Sequence, residues 1–166
     1  MDALAILLLA GIAFYFLAPQ AFSDVVSEVG NIPTGTNTDT FTFLGGTLSP
    51  SQIAGYAQNA GWSGADLVTA TAIALAESSG NPAAPGDIDN PVQGAQSYGL
   101  WQINSYYHPE CGPNFSALYD PQTNANCAFG IYQRAGNSFA PWTGTYTNGV
   151  YLKYVPTVQQ ALGVSA

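Results

Sequence analysis

The sequence predicts a mainly helical domain, α+β at most through a small loop-and-strand region, with an apolar transmembrane-type helix ahead of it. Three observations lead there. Small and apolar residues recur at helical spacing in separate segments of the second half. The segments between them are long, rich in Gly, Asn and Tyr, and show no strong strand alternation. And "ALAILLLAGIAFYFLA", Ala3–Ala18, is an uncharged apolar run closed by Pro19.

The elements follow in order. At 1.5 Å per residue the Ala3–Ala18 run spans roughly 24 Å, slightly short of a ~30 Å hydrocarbon core, and Phe22 and Val25 extend it. Residues 1–22 are therefore expected to form a membrane anchor. The rivals are an apolar helix buried in a protein assembly and a cleaved signal peptide. Asp2, where a signal peptide carries Lys or Arg, speaks against the last. Residues 23–48 are rich in Gly, Thr and Asn and read as an extended linker. The folded domain takes in 49–166. Ser49 and Pro50 make a helix start, Ile53, Tyr56, Ala57 and Ala60 keep helical spacing, and Gly61 stops the helix. A second helix is expected from about Gly64 to Ser79, with Leu67, Val68, Thr71, Ala72 and Leu75 on one stripe. Gly80, Pro82, Pro85 and Gly86 break it into a loop. A third begins near Asp120-Pro121 and carries Ala125, Ala128, Ile131 and Tyr132, and "VPTVQQALG" reads as a short closing helix.

Charge narrows the partners. Net charge is −8 and the basic residues are Arg134 and Lys153 alone, so nucleic acid is excluded as a partner and anionic lipid headgroups are disfavoured. A neutral polar ligand, read by hydrogen bonds and aromatic stacking, fits better. The two cysteines, Cys111 and Cys127, can close a loop of about 15 residues, worth roughly 3 kcal/mol as a disulfide. Two buried thiols are the plain alternative. A zinc site with His108 lacks a fourth ligand at a recognisable spacing, so no metal and no cofactor is expected.

The candidate for chemistry is Glu77, in "AIALAESSGNP". A Glu on a helix is ordinarily a solvated surface residue. This one follows an uninterrupted small and apolar run and falls in a C-terminal turn, where the helix dipole disfavours an anion. Partial burial would raise its pKa further, as a general acid for glycosidic cleavage requires. "SYGLWQIN", residues 97–104, adds Gly99 for close backbone approach, Tyr98 and Trp101 as stacking faces, and Gln102 and Asn104 as amide partners. A buried aromatic turn is the bland reading of that octamer. "SFAPWTGTYTNGVY" sets Trp142, Tyr146 and Tyr151 in a polar context that suits a sugar groove or ordinary packing.

Taken together, "AIALAESSGNP", "SYGLWQIN", "DPQTNANCAFGIY" and "FAPWTGTY" resemble, in order, the motifs of the soluble lytic transglycosylase group of the lysozyme superfamily, which includes goose-type lysozymes. The likeness covers roughly Leu48 to Val155. It implies a lysozyme-like fold, peptidoglycan glycan strands as partner, and Glu77 with the adjoining Ser78 at the catalytic helix end. It also implies Gly99, Leu100, Trp101 and Gln102 as the glycan-groove segment, and Tyr146 as the tyrosine that contacts the catalytic carboxylate. The family's usual Ala-Tyr-Asn is replaced here by "GTYTN".

The implied reaction is cleavage between N-acetylmuramic acid and N-acetylglucosamine to a 1,6-anhydro product, with one carboxylate acting twice. A lysozyme-like hydrolase would use a second carboxylate, for which Asp87 or Asp89 is placed; their ordinary role is turn chemistry. A non-catalytic wall-binding or structural virion protein is the remaining alternative. An enzyme of this kind behind an apolar helix suits a bacterial envelope facing the periplasm, or a phage virion opening the wall locally during entry.

Overall fold

Helix α2 (Gly64–Ser78) is buried on every side along much of its length, and the other elements are arranged around it. A computed structural model describes residues 46–86 and 95–164, all within one compact unit of 42–166. The expected anchor at 1–22, nearly all of the linker at 23–48, and Asp87 and Asp89 lie outside the described residues. Among the described residues no helix is long and apolar enough to cross a membrane.

Among the described residues the α-helices are α1 (Pro50–Ala60), α2, α3 (Pro121–Arg134) and α4 (Val155–Leu162). Local chemistry explains their ends. Ser49 Oγ accepts from Gln52 N–H while the Gln52 side chain accepts from Ser49 N–H, a reciprocal capping box with Pro50 in the first turn. Gly61, which stops α1, lies so close to Phe129 that a Cβ there would fall 2.5 Å from the ring. Asp120 caps α3 by accepting from Thr123 N–H at 2.8 Å and Thr123 Oγ1 at 2.7 Å.

The stripe expected on α2 proves too narrow. Residues Ala70 through Leu75 are all buried, and a helix that is apolar all round belongs in a core. Packing against α1, α4 and the irregular turns after residue 142 covers every face. Leu67 and Val68, nearer the start, are half-buried.

Among the described residues strand structure is confined to three two-residue strands: β1 (Pro85–Gly86), β2 (Ser97–Tyr98) and β3 (Ile103–Asn104). They form one antiparallel sheet in the order β1-β2-β3, with Gly86 opposite Ser97 and Ser97 opposite Asn104. Gly99–Gln102 is the turn of the β2–β3 hairpin.

The core is rich in aromatic rings. Trp62 stacks on Trp101 at 5.6 Å and meets Phe129 edge-on at 5.1 Å, with Tyr132 and Phe139 completing the cluster. Cys111 and Cys127 form a disulfide that ties the turn at Pro109–Cys111 to α3. Beside it Glu110 accepts from Arg134 at 2.6 Å and lies 3.2 Å from His108 Nδ1. Such an exposed cluster contributes little to stability.

Tyr132 of α3 donates to Asp66 of α2 at 2.7 Å. That bond, then burial, then the carboxylate's charge push its phenol up to about 12. Below pH ~10 the phenol is neutral in both folded and unfolded chains, so its stabilising effect is complete. Above that the unfolded chain ionises first, and the effect is lost as pH rises towards 12. Burial also raises the phenols of Tyr56 and Tyr119, so absorbance titration at 295 nm should show a late-ionising fraction among the ten tyrosines, and Tyr132→Phe should remove one phenol from it. In that variant the stability loss between pH 10 and 12 should be shallower.

Candidate functional site

The end of α2 sets the carboxyl of Glu77 at a half-buried position in the last helical turn. Ser79 closes the helix in the left-handed conformation, its N–H bonded to Leu75 O. Gly80 follows at φ 78°, and a Cβ there would meet Leu48 O at 2.6 Å, so the chain turns tightly against the residues entering α1. Ser78 has its side chain turned inward. Its hydroxyl donates to Ala74 O and accepts from Gly80 N–H, so it secures the helix end rather than facing a ligand.

The hairpin turn Gly99–Gln102 is fixed by three elements at once. Trp101 donates its backbone N–H to Asn124 Oδ1 of α3 at 2.9 Å and its indole N–H to Ala70 O of α2 at 3.0 Å. Its carbonyl accepts from Trp142 Nε1 at 2.9 Å. Asn124, wholly buried, also donates to Tyr98 O at 2.9 Å and so holds both ends of the turn's inner edge. Gly99 is required here: a Cβ would fall 2.3 Å from Leu118 O and 2.6 Å from Asn124 Nδ2.

These bonds correct part of the sequence reading. Trp101, expected as a stacking face for sugar, has no exposed surface, and neither does Leu100; both belong to the core. Trp142 is also buried, though one edge lines a cavity. The ring of Tyr98 is stacked on Phe115 and edged by Tyr119, which leaves it half-buried. Gln102 stays at the surface of the turn, its Nε2 donating to Gly99 O at 2.8 Å and Ala84 O at 3.0 Å. Asn104 accepts from the backbone N–H groups of Tyr106 and Tyr107 and donates to Ser97.

A cavity of about 120 Å³ lies beside this turn. Gln102, Asn104, Tyr107 and His108 supply its polar wall, and Ile103, Ile131, Pro141 and Trp142 the apolar one. Tyr106 and Tyr107 project next to it, 47% and 65% exposed. A small site with an apolar floor, amides and open tyrosines accepts a neutral hydroxylated ligand more readily than an ion. Among the described residues no group of three His, Cys, Asp or Glu side chains could hold a metal ion.

The remaining element is a π-helical turn, Thr143–Thr147. From it the buried Thr145 donates its hydroxyl to Glu77 Oε1. Tyr146, expected at that contact, instead stacks on Tyr151 and packs at a tilt against Phe139.

Residues 54–144 match the family described as "Lysozyme like domain", more than half of the chain. The chain belongs to that family. Its general activity is peptidoglycan cleavage as a glycosidase or transglycosylase, with peptidoglycan as substrate. No curated protein matches the chain. The matched region of this lysozyme-like domain runs from α1 through the hairpin and α3, and contains Glu77 and the Gly99–Gln102 turn.

Two contributors were missed from sequence, Asn124 and Thr145. Asn124 left a signal: a polar residue on the apolar stripe of α3, beside Ala125 and Ala128, needs a buried partner. Thr145 left none, because an i→i+5 turn has no sequence signature in this chain. Asn124→Ala should strand the Trp101 N–H and the Tyr98 C=O together. A loss of about 2–4 kcal/mol is expected in denaturant unfolding.

Proposed function

We propose that this lysozyme-like domain is a lytic transglycosylase with Glu77 as its catalytic acid and base. The observation that carries the reading is the disposition of the acids among the described residues. Asp66 is bonded to Tyr132, Glu110 is paired with Arg134, and Asp120 caps α3. Glu77 is placed differently, half-buried at the end of the buried helix α2 and bonded by a hydroxyl from another element. One acid suffices for a reaction that closes on itself.

Glu77 donates its proton to the oxygen linking N-acetylmuramic acid C1 to N-acetylglucosamine C4, and the C1–O bond breaks, leaving a hydroxyl on C4 of the departing sugar. The resulting carboxylate takes the proton of the muramyl 6-hydroxyl, whose oxygen bonds to C1. The product is a 1,6-anhydro ring, water is not consumed, and Glu77 ends protonated as it began. The exposed tyrosines and the cavity beside Gln102 would seat the glycan. The apolar run at 3–18 and the Gly/Thr/Asn-rich stretch after it support a membrane-tethered enzyme at a bacterial envelope or in a virion, opening the wall locally.

Mass spectrometry of digested peptidoglycan should find anhydromuramyl ends; reducing ends would make the domain a hydrolase. Glu77→Gln should lower the rate at least 100-fold with an unchanged circular dichroism spectrum. Asp87→Asn and Asp89→Asn should each stay within about threefold of wild type, whereas a hydrolase using either would lose activity on the scale of general acid–base catalysis. The full chain should fractionate with membranes, and a chain lacking residues 1–22 should not.

A further inference from the structure

We infer that Thr145 is a positioning residue for the Glu77 carboxyl, and that the π-helical turn exists in this chain to present it. The inference rests on the transglycosylase reading of Glu77 and assigns a second residue to the same site.

Thr145 reaches Glu77 across 68 residues of sequence and is only 7% exposed, so the contact is built by the fold rather than by a free surface side chain. The turn that carries it is held from several directions. Trp142 O accepts from both Thr145 N–H at 3.1 Å and Tyr146 N–H at 2.6 Å, and Thr143 O accepts from Asn148 N–H five residues on. Trp142 is itself tethered to the hairpin through Trp101 O. A turn of i→i+5 type is rare and is frequently found at functional sites. In this chain its wide pitch puts Thr145 against α2 and leaves Tyr146 packed outside. The family match stops at Gly144, one residue before this contact.

A hydroxyl has a chemical advantage at this place. It donates to a carboxylate and accepts from a carboxylic acid, so one side chain can hold Glu77 in both protonation states. The proposed reaction passes Glu77 from acid to carboxylate and back. A partner that only donated would hold one of those states and oppose the other. Fixing the plane of the carboxyl decides which oxygen meets the glycosidic bond, and small errors of placement at a reacting group cost rate steeply.

The test compares Thr145→Val, which keeps the shape and removes the hydroxyl, with Thr145→Ser, which keeps the hydroxyl. Thr145→Val should lower kcat roughly 10- to 100-fold with KM within about twofold. Thr145→Ser should restore kcat to within about threefold of wild type, with both variants as stable as wild type in thermal unfolding. In protein labelled with 13C at Glu, the Glu77 Cδ resonance should move in Thr145→Val and stay in Thr145→Ser. Wild-type kcat in Thr145→Val, or a Ser variant as slow as the Val one, overturns the inference while an inactive Glu77→Gln leaves the transglycosylase reading standing. An active Glu77→Gln overturns both, and a Glu77 resonance unmoved by Thr145→Val overturns the positioning role whatever the activity.

Discussion

Everything in this domain is referred to Trp101. Its backbone N–H, indole N–H and carbonyl reach Asn124, Ala70 and Trp142, which belong to α3, to α2 and to the segment entering the π turn. Its ring is fully buried against Trp62. Net hydrogen bonds are individually modest, but a buried polar group left without its partner costs about 1–3 kcal/mol. The three bonds therefore act as constraints more than as sources of stability. Moving any one of those three elements would orphan a buried group on Trp101 or on its partner. Relative placement of α2, the hairpin and the π turn is thereby fixed, and with it the meeting of Glu77 and Thr145.

The second constraint is the length of α2. A helix buried on all sides has no solvent face on which to carry a charge, and Ala70 to Leu75 carry none. Glu77 follows two residues later, where the helix emerges from its neighbours and Ser79 and Gly80 turn the chain away. The helix end opposes negative charge through its unpaired carbonyl groups. Thr145 answers with a hydroxyl delivered from a turn 68 residues further along the chain. Glu77 thus lies between an influence from its own helix and a contact that only tertiary structure can supply.

That division explains how much could be read from the sequence. The Ser49–Pro50 start, the Gly61 stop and the Asp120–Pro121 start are local matters, settled by a few neighbouring residues, and they appear where the spacing puts them. Glu77 stands out in the sequence because charge is so scarce near it. The roles of the aromatic residues do not. Trp101 and Tyr107 are both aromatic residues near polar ones, yet the first has no exposed surface and the second is 65% exposed. What separates them is a hydrogen bond to a helix 31 residues away, which no local pattern records. The same holds for Thr145 and Tyr146. They are adjacent and both plausible partners for an acid, and the extra residue in the turn decides between them.

Backbone strain has a pattern of its own. Besides Asn137, the described non-glycine residues with positive φ are Ser79, at 54°, and Gln102, at 46°. One immediately follows the helix that bears Glu77, and the other ends the hairpin turn beside the cavity. Left-handed geometry costs a residue with a Cβ roughly 1–2 kcal/mol, and glycine would relieve it. At 102 glycine would also remove the carboxamide that joins Ala84 O to Gly99 O, and so loosen β1 from the turn. Gly86 makes the complementary concession, since a Cβ there would sit 1.9 Å from Gln102 Oε1. The strained residue keeps its side chain because that side chain closes the turn, and the unstrained neighbour gives up its own to make room.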